Sequence, residues 1–166
     1  MKFRAEATFT DIPLADYEAL YFDDAFNDEM CKAVRLERTL LKKERKGDII
    51  VRHTRVAPIG REIPAPVAKV IGASRIEYVE ELTYDFAKHT GVWQTIPQVL
   101  PDKVETKGTL AFLSTGAGCT RISEGDINVK IFGVGGIVEK VIVGDVEKSY
   151  EDAARFTREY WTRTRR

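Results

Sequence analysis

The sequence predicts an α+β fold in which a curved antiparallel sheet of about seven strands wraps around one long C-terminal helix. Three observations lead to it. Apolar and polar residues alternate through most of the chain up to Ile131, the period of half-buried strands. Two short stretches with helical spacing follow the first strand. After Gly133 the period changes from two to 3.6.

Phe3, Ala5, Ala7 and Phe9 alternate with Lys2, Arg4, Glu6 and Thr8, which gives a strand with one apolar face. Asp11 and Pro13 break it, and Pro13 suits the first turn of a helix over Leu14 to Phe22. A second short helix spans Asp23 to Ala33, capped by Asp23 or Asp24, with Ala25, Phe26, Met30 and Cys31 on its buried side. Strands over Val34 to Arg45 and Asp48 to Val56 join across Lys46-Gly47. Pro58, Pro64 and Pro66 mark an irregular excursion with a short helical turn over Val67 to Ile71. In the strand from Arg75 to Asp85, Ile76, Tyr78, Leu82 and Tyr84 share one face. His89 to Gln98 forms the next strand, and Pro101-Asp102 turns the chain. Val104 to Ser114 and Cys119 to Ile131 make the last hairpin across Thr115 to Gly118. Val138, Val141, Ile142, Val146, Tyr150, Ala153, Phe156 and Tyr160 then form the stripe of an amphipathic helix of about seven turns. The tail from Arg163 to Arg166 is expected to fray.

Composition narrows the classes of function. At 166 residues the chain fits one domain, 1–166, and buries roughly 70% of its unfolded surface without needing a disulfide or metal. Its 26 basic and 26 acidic residues cancel, so no global field favours nucleic acid. The opening MKFRAEATFT lacks the apolar core of a signal peptide. No stretch approaches the ~20 apolar residues of a membrane span. Cys31 and Cys119 cannot build a disulfide framework. These features lead to the expectation of a cytoplasmic protein.

Motifs for chemistry are sparse. Gly133-Val134-Gly135-Gly136 precedes a helix but lacks the dinucleotide-binding pattern and its βαβ context. No metal-ligand spacing, nucleophile elbow or cysteine–histidine pair is present in the sequence. No metal, cofactor or catalytic residue is therefore assigned. His89 reads as a surface loop residue. The run Lys42 to Lys46 reads as a solvated hairpin tip, with a transient contact to lipid headgroups as the alternative.

Strand, two short helices, six further strands and a long C-terminal helix together resemble the START-like (SRPBCC, polyketide cyclase/dehydrase and lipid transport) superfamily, which has the helix-grip fold. Within it the chain looks most like small bacterial proteins with a Gly-rich turn, here Gly133 to Gly136, before the last helix. The resemblance implies a cavity between sheet and helix that holds lipids, sterols, polyketides or other apolar molecules. It also implies wide functional variety.

A curved sheet is not filled by one helix, and the remaining space suits an apolar ligand. Candidate wall residues are Val51, Tyr78, Leu82, Trp93, Leu110, Phe112, Ile122, Val138, Ile142, Val146 and Tyr150, which would equally serve a closed core. Arg38, His53, Glu80 and Glu124 share strand faces with apolar residues. Arg38 with Glu80 or Glu124 would make an internal pair able to orient a polar ligand group, and His53 could act as acid or base. A one-residue error of register would turn all four to solvent. Three readings follow: binding or transfer of a hydrophobic small molecule or lipid, an enzyme acting on a polyketide-like or aromatic substrate, and a protein-interaction module.

Overall fold

A computed structural model describes residues 1–60 and 63–165. In chain order the elements are β1 (Lys2–Phe9), α1 (Leu14–Tyr21), α2 (Asp24–Ala33), β2 (Leu36–Lys46), β3 (Ile49–Pro58), α3 (Ala65–Ile71), β4 (Tyr78–Asp85), β5 (Thr90–Pro97), β6 (Val104–Thr115), β7 (Gly118–Val129) and α4 (Gly135–Thr164).

The sheet runs β1-β7-β6-β5-β4-β3-β2, with every neighbouring pair antiparallel. From β2 to β7 each strand pairs with the next in sequence, so these contacts are local hairpins. β1 instead joins β7, with Phe9 opposite Cys119. That placement brings the chain's first strand beside the last and sets both under α4, which packs on β1 and β7. This is the α+β helix-grip arrangement.

Local chemistry accounts for the ends of the elements. Asp23 caps α2, its carboxylate accepting the Phe26 N–H at 2.6 Å. The β2–β3 hairpin turns at Gly47, whose φ of 58° falls in the left-handed region open to glycine. α4 begins at Gly135, earlier than the apolar stripe indicates, because the Gly-rich segment itself forms its first turn. At the other end the expected fraying is not seen: helix continues to Thr164, and Arg163 donates to Glu29 at 2.9 Å. Arg166 lies outside the described residues.

Two clusters close the space between sheet and helices. One is a run of aromatic contacts: Phe9 stacks on Tyr17 at 4.6 Å, Tyr17 meets Phe112 edge-on at 5.0 Å, and Phe112 meets Tyr84 at 5.2 Å. The other gathers Phe3, Val67, Ile127, Val129 and Val138 beneath α3 and the start of α4. Trp93 packs against both. Room for its indole comes from Gly108 and Gly125, which face each other across β6 and β7.

A Cβ on Gly108 would fall 2.5 Å from Trp93 Cζ2 and 1.9 Å from the Glu124 carbonyl oxygen. Gly108→Ala is therefore expected to lower unfolding stability by about 1–3 kcal/mol through overpacking, measured by urea titration. Gly136→Ala, whose Cβ would meet nothing within 4 Å in a helix, should be neutral or stabilising by up to ~1 kcal/mol.

Candidate ligand cavity between sheet and helix

A cavity of about 260 Å³ lies between the sheet and α4, slightly below the ~300–1,000 Å³ typical of small-molecule sites. One wall is the stripe of α4: Ile142, Val146, Ser149, Tyr150, Ala153 and Thr157, spaced so that a 3.6-residue period carries them to one face. The opposite wall is the inner face of the strands, including Phe3, Thr54, Val56, Tyr78 and Trp93. Tyr17, Tyr21, Phe26 and Cys31 of α1 and α2 contribute as well.

Charged groups break this apolar surface at defined places. Arg52 of β3 is 5% exposed. Its guanidinium donates to the Tyr21 carbonyl at 2.9 Å, lies 3.5 Å from Glu80 and sits over the Tyr21 ring at 5.1 Å. Arg121 of β7 is 4% exposed. It donates to the Tyr150 carbonyl at 3.1 Å and, over a long 3.4 Å, to the Tyr17 hydroxyl, with the Tyr150 ring 4.8 Å from its centre. Tyr150 and Ser123 exchange a hydroxyl bond of 2.9 Å. Among the described residues, the buried Arg52 Nε, Thr54 Oγ1 and Arg121 Nε have no hydrogen-bond partner. All three belong to residues that line the cavity.

Burial raises the Tyr17, Tyr21 and Tyr150 hydroxyls above the usual phenol range, so they remain neutral and offer hydrogen bonds. Burial also pushes the Cys31 and Cys119 thiols up to about 11. Among the described residues no cluster of metal-ligating side chains is present.

Of the residues singled out from sequence, Arg38, Tyr78, Glu80, Trp93, Ile142, Val146 and Tyr150 line the cavity. Leu82, Leu110, Phe112 and Val138 point inward but are packed in the two clusters. Val51 and His53 turn to the other side of β3, because its buried positions are Ile50, Arg52, Thr54 and Val56. His53 Nδ1 lies 3.8 Å from Glu81 there. Ile122 and Glu124 are likewise displaced by one position from the buried Arg121 and Ser123, and Glu124 bonds Arg4. The internal pair also differs in composition. Arg38 reaches back to Asp24 at 3.1 Å and Asp28 at 2.8 Å, while Glu80 pairs with Arg52.

Arg52, Arg121, Tyr17, Tyr21 and Thr54 were missed. The signal for the strand residues was available: parity set by Ile50 and Val56 turns Arg52 and Thr54 inward, and Cys119, Ile127 and Val129 do the same for Arg121. His89 lies in the surface turn before β5, as expected, and it also has a buried partner. Its Nδ1 is 2.7 Å from the buried Glu18, which also accepts from the Tyr84 hydroxyl at 2.5 Å. In the basic run, Lys43 binds the Phe22 carbonyl at 2.5 Å and Asp24 at 2.9 Å, and Arg45 lies over Phe86 at 4.1 Å.

Residues 4–161 match the model of the family described as protein of unknown function (DUF2505). The chain belongs to that family. Comparison with curated proteins gives no match. Among solved structures, this DUF2505 member is similar to Zhui aromatase/cyclase from Streptomyces sp. R1128, with a TM-score of 0.69 and 11% identity over 100% of this chain and 97% of the other. Norcoclaurine synthase from Thalictrum flavum, in complex with dopamine and hydroxybenzaldehyde, gives a TM-score of 0.64 and 17% identity over 93% of this chain and 83% of the other. A START superfamily protein from Mycobacterium smegmatis gives a TM-score of 0.60 and 12% identity, covering 96% and 95% of the two chains. The DUF2505 protein is thus a START-like protein in fold. No described helix is long and apolar enough to cross a membrane.

The high thiol values give a direct check on burial. The thiolate is the reactive form, and two units separate about 11 from the ordinary 9.0. Both cysteines of the native protein should react with Ellman's reagent at least about 100-fold more slowly than an exposed thiol near neutral pH, with rates climbing as pH rises towards about 11. Fast labelling of either cysteine at neutral pH would contradict the burial described.

Proposed function

We propose that this protein binds a hydrophobic small molecule or lipid in the cavity between the sheet and α4, to store or transfer it. The observation that carries this reading is the cavity itself: about 260 Å³ bounded mainly by aromatic and aliphatic side chains with a few convergent polar groups, the composition of ligand sites. A protein-interaction module with a filled core would have no such space. The likeness to Zhui aromatase/cyclase and norcoclaurine synthase supports an aromatic or polycyclic body for the ligand, in keeping with Phe3, Tyr17, Tyr21, Phe26, Trp93 and Tyr150 around the cavity.

Binding is favoured over catalysis by the placement of the acid–base candidates. His53 and Glu124 lie outside the cavity lining, Arg38 is neutralised by two aspartates, and Glu80 pairs with Arg52. Neither histidine lines the cavity, whose described carboxylates are Glu80, paired with Arg52, and Asp145.

Titration with N-phenylnaphthylamine, a neutral apolar fluorophore, tests the proposal. The wild type should enhance its emission with one saturable site. Ile142→Trp, which fills the α4 side of the cavity, should reduce affinity at least ~10-fold while leaving the thermal transition cooperative. No binding by wild type, or binding that survives Ile142→Trp unchanged, would refute the proposal.

A further inference from the structure

Resting on that reading, we infer that the ligand is amphipathic and carries an anionic group, a carboxylate or sulfonate, that pairs with Arg121 inside the cavity. The buried arginines differ in a decisive way. Arg38 has Asp24 and Asp28, and Arg52 has Glu80. Around Arg121 every described contact is neutral: the Tyr17 hydroxyl, the Tyr150 carbonyl and the Tyr150 ring. No described carboxylate comes within 4.0 Å of it.

A guanidinium remains charged at any physiological pH and cannot escape burial by losing its proton. Removing such a charge from water costs several kcal/mol unless an opposite charge and hydrogen bonds replace the solvent. Two bonds, one of them 3.4 Å long, engage two of its five N–H donors. Nε is buried without a partner among the described residues. The residue lines the cavity, and its remaining donors suit an anion that presents two oxygens side by side, as a carboxylate does and as a sulfonate does with two of its three. The Tyr17 and Tyr150 hydroxyls, which line the cavity, can hydrogen-bond the same anion, and the apolar body extends along Trp93, Ile142 and Val146.

Arg121 also borders a second gap, of about 320 Å³, whose walls include Glu147 and Glu151. A guanidinium turned to those carboxylates would be compensated without any ligand, and it would then confer no preference for anions.

The test compares two fluorophores that differ by one sulfonate group: anilinonaphthalene sulfonate and its sulfonate-free parent, N-phenylnaphthylamine. Wild-type protein should bind the sulfonate more tightly, by ~10-fold or more, as a charge-assisted bond to a buried partner provides. Arg121→Gln should abolish that preference, read as the ratio of the two affinities, and Arg121→Lys should retain part of it. Equal affinity of wild type for the two probes, or a preference for the neutral one, overturns the inference and leaves the binding proposal intact. That wild-type comparison decides even if Arg121→Gln fails to fold. A sulfonate preference unchanged in a folded Arg121→Gln protein also overturns it. Failure of wild type to bind either probe refutes the proposed function itself.

Discussion

The concave face of this sheet is wider than the helix laid across it, and most other features follow from that mismatch. α4 packs on β1 and β7, while the inner faces of β3, β4 and β5 lie farther along the curve. A sheet face that buries its side chains must be covered by something. At one end α1 and α2 cover it through the contacts joining Phe9, Tyr17, Phe112 and Tyr84. Near α3 and the start of α4, Phe3, Val67, Ile127 and Val138 do so. The space left between is bounded by both groups.

The polarity of that space is unusual for a core. Two arginines with at most 5% exposure stand on its strands, and among the described residues each leaves its Nε unsatisfied. In a closed core such groups would cost more than an apolar side chain of similar volume. Their burial is intelligible where a polar part of a ligand completes them. The phenols of Tyr17, Tyr21 and Tyr150, kept neutral by burial, add hydrogen-bonding capacity without further charge.

The architecture was legible in the sequence because it rests on periodicity. The change from a period of two to 3.6 located α4, and Pro13 with the two short apolar stretches located α1 and α2. The cavity face was only half legible, for a physical reason. On β3 and β7 the polarity is mixed: Arg52, Thr54, Arg121 and Ser123 face in beside Ile50, Val56, Cys119 and Ile127, while Val51 and Ile122 face out. Parity taken from Val51 and Ile122 alone therefore came out wrong at His53 and Glu124. On β4 and α4 the inward side is apolar in the ordinary way, and Tyr78, Ile142, Val146 and Tyr150 were found. The Gly108–Gly125 pair that seats Trp93 leaves no periodic trace, since it depends on the register of three neighbouring strands, which alternation alone does not set.

Native mass spectrometry of the protein purified without detergent, with extraction and identification of whatever is released, tests the central claim most directly. The account predicts a stoichiometric adduct of an apolar compound bearing an acidic group, retained by wild type and lost when Ile142→Trp fills the cavity. An adduct that persists undiminished in that variant would place the ligand elsewhere and contradict the account.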